Sequence, residues 1–284
     1  MKTMPQQTIA IVFDFDDTLA PDATSALLAS LGVEPEAFWK EVAELLRADW
    51  DPVPAYLFKM IEISRQSRAT AISKSTLHTF GSSISFYRGA LTLKKHLTDY
   101  AQSVFESISL EFYIVSSGIG EMIRASKFAK HCTHIWACDF HYNTEGCIEF
   151  PKNIVSFTDK TRYLFQISKG IIGAETTGQP FAVNKSIAPA ELRVPFDQMI
   201  YVGDGYTDIP CFSLVKKQGG IAFGVYDPKH TEKWARAWGY VEDNRVSNLA
   251  PADYGKDAAL MHNLCMAVHR IASNIKLRET SYQG

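Results

Sequence analysis

The hydrophobic pattern of the chain begins with a short apolar run that is rich in β-branched residues. Residues 8–13 (TIAIVF) carry no charge and lead directly into the acidic segment 14–18 (DFDDT). A continuous apolar run of this length predicts a strand that is buried on both faces, as in a parallel sheet. The acidic segment then falls at the carboxyl end of that strand, which is where open α/β sheets bind ligands.

A helical periodicity replaces the strand pattern over residues 20–85. Apolar residues recur at helical spacing before Pro52 and again after Pro54, and no convincing strand interrupts them. The periodic positions are Ala26, Leu27, Leu28, Leu31, Phe38, Val42, Leu45, Leu46, Tyr56, Met60, Ile61 and Ile63. We therefore expect a helical insertion after the first strand.

Strand and helix patterns alternate in the rest of the chain. Further strands are predicted over residues 110–115, 134–137, 198–202 and 220–223, and a hairpin over 140–150. Helices are predicted over residues 91–104, 121–130, 160–167 and 258–277, and residues 170–195 are poorly patterned and predict a long loop or an insertion. Such alternation favours an α/β fold in which a doubly wound, mostly parallel sheet carries helices on both faces.

Composition excludes several classes of partner. The chain has 29 basic and 31 acidic residues and a net charge of −2, which gives no reason to expect binding to nucleic acid or to an anionic membrane surface. No apolar run approaches the ~20 residues that a membrane span needs. The N-terminus lacks the apolar core of a secretory signal. Five irregularly spaced cysteines do not form a disulfide framework, so we expect free thiols and a cytoplasmic protein.

Two carboxylates follow the first strand at an interval of two residues. Side chains two apart in extended chain point the same way, so Asp14 and Asp16 can share one site. In such a pair, one carboxylate can act as a nucleophile while the other transfers a proton. The alternative is a polar strand end in which Asp17 caps a helix.

A second acidic segment also follows a predicted strand. Asp204 and Asp208 lie there with Gly203 and Gly205. Two acidic strand ends in one parallel sheet would concentrate negative charge, which is costly unless a cation binds there. Oxygen ligands with open positions favour Mg²⁺. A glycine turn with capping aspartates would explain either segment alone but not both.

Two further elements suit a phosphate group. Ser116, Ser117 and Gly118 follow a predicted strand and precede a predicted helix, and hydroxyl and amide groups in that setting bind phosphate. An ordinary Ser-Gly loop is the alternative. Lys160 could balance phosphate charge or hold a carboxylate in place, and only its order in the chain distinguishes it from a solvated lysine.

A stretch rich in cysteine and histidine raises the alternative of a zinc site. It contains His131, Cys132, His134, Cys138, His141 and Cys147. The spacing includes no Cys-x-x-Cys pair, and the residues span a predicted strand and hairpin. Buried thiols and hairpin histidines are the favoured interpretation.

Taken in order, the acidic, serine and lysine residues resemble the four motifs of the haloacid dehalogenase (HAD) superfamily. Residues 14–19 (DFDDTL) resemble the first motif and residues 203–208 (GDGYTD) the fourth, while Ser116 and Lys160 match the second and third. The resemblance covers residues 8–225 and implies a HAD-like, Rossmannoid sheet. The first and fourth motifs are specific, and the third is set mainly by position.

The resemblance implies a division of roles among the acidic residues. Asp14 would attack phosphorus and become an aspartyl phosphate, and Asp16 would protonate the leaving alcohol and then activate water. Mg²⁺ would be bound by the Asp14 carboxylate, the Asp16 carbonyl and the Asp204 carboxylate. Asp208 would support this metal site.

The resemblance also assigns the phosphate-binding and supporting residues. Ser116, the Ser117 amide and Lys160 would hold the phosphoryl oxygens. Thr18 and Gly205, within the first and fourth motifs, would have supporting roles. Positioning of the phosphoryl group and neutralisation of its charge are the main requirements of phosphoryl transfer.

The helical insertion and Asp16 restrict the type of reaction and the class of substrate that the resemblance implies. The superfamily's dehalogenases lack an aspartate at the position of Asp16, so phosphoryl transfer is favoured. Residues 20–87 would form a helical cap on a catalytic core of residues 1–19 and 88–284, and a cap that excludes water suits a small-molecule phosphate ester. We therefore expect a Mg²⁺-dependent phosphomonoester hydrolase. The alternatives are a phosphotransferase or phosphomutase and a non-catalytic phosphate-ligand binding module.

Within the superfamily, the sequence is most similar to the phosphoserine phosphatase-like branch. Residues 115–119 (VSSGI), the hairpin and the GDGYTD segment carry this likeness. Thr207 stands where that branch has asparagine, and uncharged Ala23, next to Asp22, stands near the expected cap glutamate. The candidates for binding an anionic group of the substrate are Lys59, Arg65 and Arg68.

Overall fold

A computed structural model describes residues 6–176 and 178–282 of the 284-residue chain. Residues 1–5 and 283–284, at the ends of the predicted core, and residue 177, in the predicted loop, lie outside the described residues. Within the described ranges, no helix combines the length and apolar character that crossing a membrane requires.

In the described part of the chain, seven strands form one sheet. They are β1 (Thr8–Phe13), β2 (Ser109–Ile119), β3 (His134–Tyr142), β4 (Ile148–Asn153), β5 (Met199–Gly203), β6 (Ile221–Tyr226) and β7 (Asn248–Pro251). Their order is β4-β3-β2-β1-β5-β6-β7, and only the β3–β4 hairpin is antiparallel. The predicted α/β fold with a mostly parallel sheet is confirmed.

Helices flank this sheet. They are α1 (Ala23–Ser30), α2 (Pro35–Arg47), α3 (Pro52–Gln66), α4 (Lys74–Ser83), α5 (Leu93–Val104), α6 (Gly120–Ala125), α7 (Phe157–Lys169), α8 (Ile209–Lys217), α9 (Thr231–Glu242) and α10 (Ala259–Tyr282). Helices α1 to α4 all lie between β1 and β2, as the periodicity predicts. Their action as a separate cap domain over residues 20–87 stays a prediction.

The central strand β1 is buried over almost its whole length. Its residues from Ile9 to Phe13 are fully buried, and the Phe13 ring stacks on Phe112 with 6.3 Å between centroids. Phe13 is level with Ile114 of β2 and with Val202 of β5. Because these three parallel strands are in register, the residues that follow them meet at one edge of the sheet.

The structure differs from the predicted elements in several places, and helices α8 and α9 are among the elements that were not predicted. Strand β2 extends through Ser116 to Ile119 instead of ending at residue 115, and its pairing with β3 shifts register between Val115 and Ile119. An irregularity of this kind redirects side chains near sites without ending the strand. Strand β7 was not predicted, because it has only four residues and only Ala250 among them is buried.

Candidate active site

Asp14 is fixed at the carboxyl end of β1 by its own backbone and by its neighbour. Its N–H donates to the carbonyl of Val202 on β5 at 2.9 Å, which continues the sheet by one residue. The N–H of Phe15 donates to Asp14 Oδ1 at 2.7 Å. The Asp14 side chain is almost fully buried. The carboxylate is therefore held in one orientation at the edge of the sheet.

Lys160, on the first turns of α7, lies beneath this carboxylate and is fully buried. Its Nζ donates to Asp14 Oδ2 at 2.8 Å, to Asp208 Oδ1 at 2.7 Å and to Thr207 Oγ1 at 2.9 Å. An ammonium group has three N–H donors, so these acceptors use all of them. Of the two roles that the sequence left open for Lys160, this geometry favours holding the Asp14 carboxylate.

The charges around Lys160 decide its protonation state. Burial lowers the pKa of the Lys160 ammonium, but attraction and hydrogen bonding from Asp14 and Asp208 outweigh burial and raise the pKa above its usual value. The lysine is thus a permanent cation at neutral pH. A buried ammonium of this kind is tolerated because it is paired and fully hydrogen-bonded.

Asp208 is a positioning residue whose two oxygens are both engaged. Oδ1 accepts from Lys160 and from the Tyr201 hydroxyl at 2.7 Å, and Oδ2 accepts from the Gly205 N–H at 3.1 Å. Gly203 is required beside it, because a Cβ at that position would overlap the Asp208 carboxylate. Gly205 contributes its backbone N–H, and a Cβ there would meet nothing within 4 Å.

Asp204 contrasts with Asp208. Over residues 6–176 and 178–282, no donor forms a hydrogen bond to its carboxylate, although ligand oxygens of Asp14, Asp204 and Asp208 all lie within 4.8 Å of one another. Burial, and the negative charges of Asp208 and Asp14, raise the pKa of Asp204 well above its ordinary value. Asp204 is only partly buried, but a carboxylate that lies among other carboxylates and accepts no hydrogen bond is still a costly arrangement. The donor set therefore fits a hard divalent cation bound by Asp14 and Asp204.

Asp16 lies where the chain turns away from β1. Its Oδ1 accepts from the N–H of Ala23 at 2.8 Å, and Gly118 leaves room for its Oδ2, since a Cβ on that glycine would lie 2.5 Å from it. Burial and the neighbouring charge of Asp22 raise the pKa of Asp16 well above its ordinary value. A raised pKa keeps a proton on the side chain, which suits a general acid.

Asp17 and Thr18 shape the turn that carries Asp16. Asp17 has φ 53°, a left-handed conformation that aspartate adopts more readily than most residues. Thr18 is fully buried, and its carbonyl accepts from the Tyr254 hydroxyl at 2.8 Å. Thr18 Oγ1 has no hydrogen-bond partner among the described residues. The support from Thr18 thus comes through its backbone.

The two serines at the bulged end of β2 differ in what their hydroxyls do. Ser116 Oγ is buried and accepts from the Gly118 N–H at 3.0 Å. Ser117 Oγ is also shielded from solvent, and within the described residues it has no partner. The Ser117 carbonyl accepts from the Tyr56 hydroxyl at 2.5 Å. A shielded, unpaired hydroxyl beside two carboxylate motifs is available to a ligand.

These residues line one cavity of about 380 Å³. The sheet edge and the helical insertion both contribute to it, and its walls are Asp14, Asp16, Asp17, Asp22, Thr24, Trp39, Pro52, Tyr56, Ser116, Ser117, Gly118, Phe157, Asp204, Gly205, Tyr206 and Thr207. The structure thus brings every predicted site residue to the cavity or directly beneath it, except Thr18, which acts from behind the Asp16 turn.

The aromatic walls of the cavity were not predicted from the sequence, and the basic residues that were predicted to bind the substrate lie outside the cavity. Trp39 and Tyr56 have the helical spacing of core residues, and no sequence signal separates a cavity wall from a core position. The basic candidates do not line the cavity. Lys59 Nζ pairs with Glu41 at 2.7 Å and Glu62 at 2.6 Å, and Arg65 donates to the Glu149 carbonyl at 3.2 Å. Arg68, with Arg65, borders a separate depression near the hairpin.

The cysteine and histidine side chains of the zinc alternative do not come together. In the part of the chain that the structure describes, the one group of three or more potential metal-ligating side chains within 4.8 Å is the aspartate group of the cavity. Cys138 is buried, and its sulfur accepts from the Val155 N–H. This contact serves the core of the hairpin.

Comparison with known proteins identifies the architecture. No family model matches the sequence. An uncharacterized protein of Borreliella burgdorferi is 27% identical over 294 residues, which cover 93% of this chain and 99% of that protein.

Three solved structures are similar in fold. A HAD family hydrolase of Salmonella enterica serovar Typhi has a TM-score of 0.53 and 14% identity, covering 82% of this chain and 67% of that one. A phosphoserine phosphatase with a phospho-aspartyl intermediate analogue has a TM-score of 0.53 and 17% identity, covering 91% and 98%. A phosphoserine phosphatase in its apo form has a TM-score of 0.55 and 16% identity, covering 85% and 92%. The chain therefore has the HAD-like α/β fold of the HAD hydrolases and phosphoserine phosphatases.

Proposed function

We propose that this protein is a HAD-type phosphatase that hydrolyses a small-molecule phosphomonoester through an aspartyl phosphate on Asp14. The observation that carries the proposal is the Asp14 carboxylate itself. It lies at the edge of the sheet with a backbone N–H on one oxygen and the buried Lys160 ammonium on the other. Asp16, whose pKa is raised, lines the same cavity.

The first half of the reaction transfers the phosphoryl group to the protein. An Asp14 carboxylate oxygen attacks phosphorus, and the bond from phosphorus to the alcohol oxygen breaks. Asp16 gives its proton to that leaving oxygen, so that a neutral alcohol departs. Ser116 and Ser117, at the end of β2, would bind the phosphoryl oxygens, and the unpaired Ser117 hydroxyl supports this role.

The second half restores the carboxylate. Asp16, now ionised, takes a proton from a water molecule as the water oxygen attacks the phosphorus of the aspartyl phosphate. The phosphorus–Asp14 bond breaks, phosphate leaves, and Asp16 is protonated again. Lys160 holds Asp14 in the same orientation through both steps, because it is anchored by Asp208 and Thr207 as well.

Asp14 and Asp204 fit a divalent cation in this site, and Asp208 would keep Lys160 and the Gly205 loop in place beside it. When bound, Mg²⁺ neutralises negative charge on the phosphoryl oxygens as the transfer proceeds. The uncompensated Asp204 carboxylate supports this assignment.

A phosphatase assay tests the proposal. The purified protein is given an aryl phosphate and a panel of small phosphate esters, with Mg²⁺ or with EDTA, beside the Asp14→Asn variant. We expect phosphate release that needs Mg²⁺ and that the variant loses, since an amide is not a nucleophile of this kind. Release that continues unchanged in Asp14→Asn would refute the assignment of the nucleophile.

A further inference from the structure

The charge of the cavity walls restricts the alcohol that can leave. Five carboxylates line the cavity, on Asp14, Asp16, Asp17, Asp22 and Asp204. None of the described residues that line it carries a basic side chain, since Lys160 is fully buried beneath Asp14. A leaving group with its own negative charge is therefore disfavoured here, and a positive charge is favoured.

We propose, on the basis of the function proposed above, that the substrate is the phosphomonoester of an amino alcohol whose leaving group carries an ammonium group and no carboxylate. The ammonium group binds the Asp22 carboxylate and the rings of Trp39 and Tyr56, all of which belong to the helical insertion.

Asp22 is the one wall carboxylate that the insertion contributes, and it is held rigidly. Its Oδ1 accepts from the Ser25 N–H at 3.0 Å, and its Oδ2 accepts from the Ser25 hydroxyl at 2.5 Å. The bond from the Ser25 N–H caps α1, and the bond from the Ser25 hydroxyl also connects Asp22 to Trp39. The same Ser25 hydroxyl accepts from Trp39 Nε1 at 2.7 Å, which ties the orientation of the indole to that of the carboxylate.

Among the described residues, no cation pairs with Asp22. The metal site accounts for Asp14 and Asp204, and a divalent cation there would be offset by the charge of the phosphoryl group itself. The Asp22 carboxylate faces the same cavity from the insertion and has only neutral donors as partners. A substrate cation is the partner that this arrangement lacks.

Trp39 and Tyr56 supply the aromatic part of the site. Their rings lie 6.0 Å apart between centroids and are inclined at 51°, so they form an open corner in the cavity wall. The Tyr56 hydroxyl is anchored on the Ser117 carbonyl, which fixes the ring beside the phosphate-binding serines. Aromatic faces next to a carboxylate are the usual means of binding an alkylammonium group.

The basic residues of the insertion argue against a substrate carboxylate. Lys59 is occupied by Glu41 and Glu62, and Arg65 and Arg68 border a depression outside the cavity. A serine-like leaving group would bring its carboxylate next to Asp22, which has no cationic partner among the described residues. The same leaving group without its carboxylate meets no such penalty.

Steady-state kinetics with matched esters tests this inference. Phosphocholine and phosphoethanolamine carry the ammonium group, glycerol 3-phosphate is the neutral comparison, and phosphoserine adds a carboxylate. We expect kcat/KM for an ammonium ester to exceed that for each of the other two at least about tenfold. The two ammonium esters also distinguish a quaternary from a primary ammonium group.

Two variants test whether Asp22 causes the preference for ammonium esters over neutral esters. Asp22→Asn keeps a side chain that caps helices well, and we expect it to lower the ratio of ammonium to neutral kcat/KM by about tenfold or more. Asp51→Asn is the control, because the Asp51 side chain also caps a helix, α3, and does not line the cavity. Its ratio should equal that of the wild type. If Asp22→Asn does not fold, Trp39→Leu is expected to lower the same ratio.

Binding gives a readout that does not need turnover. In the Asp14→Asn background with Mg²⁺, phosphocholine should raise the unfolding temperature more than glycerol 3-phosphate does. Equal kcat/KM for the ammonium and neutral esters, or a preference for phosphoserine, would overturn the inference and leave the phosphatase proposal standing. Failure to hydrolyse any ester, the aryl phosphate included, would overturn both.

Discussion

At the scale of single residues, Lys160 decides how two buried carboxylates coexist in the core. In Lys160→Met, Asp14 and Asp208 lose the cation that they share. Breaking a buried ion pair by removing one partner costs about 3–5 kcal/mol, and we expect a loss of that order in the free energy of unfolding at neutral pH. Urea denaturation measures it.

The matched control for this loss is Lys95→Met. Lys95 pairs with Asp99 at 2.6 Å, but both side chains are exposed, at 75% and 60%. An exposed pair contributes about 0–1 kcal/mol. If the two variants lose equal stability, Lys160 does not hold the carboxylates as we describe.

Asp16 is the residue whose removal should separate the two halves of the reaction. An aryl phosphate has a good leaving group, so Asp16→Asn can still form the aspartyl phosphate, but nothing then activates water. We expect kcat to fall by about 10²–10⁴ and the phosphorylated protein to accumulate. Intact-protein mass spectrometry during turnover detects the added phosphoryl group. Wild-type kcat without accumulation would remove Asp16 from its role.

The acidic residues also predict how Mg²⁺ binding depends on pH. Burial raises the pKa of Asp204, so the folded apoprotein binds more protons than the unfolded chain above the ordinary carboxyl range. The free energy of unfolding of the apoprotein therefore falls as pH rises, because the folded protein loses the proton that it binds on Asp204. A cation bound to the ionised carboxylate restores this free energy. We expect the rise in unfolding temperature caused by Mg²⁺ to grow between about pH 5 and pH 8.

Calorimetric unfolding with Mg²⁺ and with EDTA at each pH measures this difference. Subtracting the two series cancels the titration of groups away from the site, such as His134, whose pKa burial lowers. The Asp204→Asn variant should lose most of the Mg²⁺ effect. A Mg²⁺ effect in the wild type that shrinks as pH rises would contradict the prediction.

At the scale of elements, one hydrogen bond joins the insertion to the serines of the candidate site. The Tyr56 hydroxyl on α3 donates to the Ser117 carbonyl at the end of β2. Tyr56→Phe removes this bond and keeps the ring, and we expect a loss of about 1 kcal/mol in the free energy of unfolding. We also expect faster hydrogen exchange in α3. Tyr142→Phe, in β3, is the control, since no hydrogen bond of the Tyr142 hydroxyl is found among the described residues.

The strands that carry the site could be predicted because their signals are local. The apolar run before Asp14 and the run before Asp204 each identify a buried strand, and the rule that ligands bind at the carboxyl ends of parallel strands places both acidic segments at one edge. The extension of β2 to Ile119 could not be predicted, because Ser116 and Gly118 have the composition of a loop. Pairing with β3 across a shift in register keeps them in the sheet.

At the scale of the whole molecule, the parts that escaped prediction are those that depend on distant contacts. Lys160 contacts Asp14 and Asp208, which are 146 and 48 residues away along the chain, so its sequence neighbourhood carries no sign of its burial. Trp39 and Tyr56 pattern as core residues of helices, and only the folded structure shows that they form part of a cavity wall. The pairing of β5 with β1 also joins segments that are far apart in the sequence.

Because the cavity is built from β1, β2, β5 and the insertion together, a ligand in it should stabilise all of them at once. Beryllofluoride with Mg²⁺ mimics a phosphorylated aspartate, and at a hundred times its dissociation constant it would add about 2.7 kcal/mol to the free energy of unfolding. We expect hydrogen exchange to slow both at the carboxyl end of β1 and in α3, and to stay unchanged in Asp14→Asn. Protection confined to the sheet would show that α3 does not close on the phosphorylated site. Greater protection of both than of the remote helix α10 would mean that residues 20–87 act as a lid, since stabilisation of the folded state as a whole slows exchange in every element that exchanges by global unfolding.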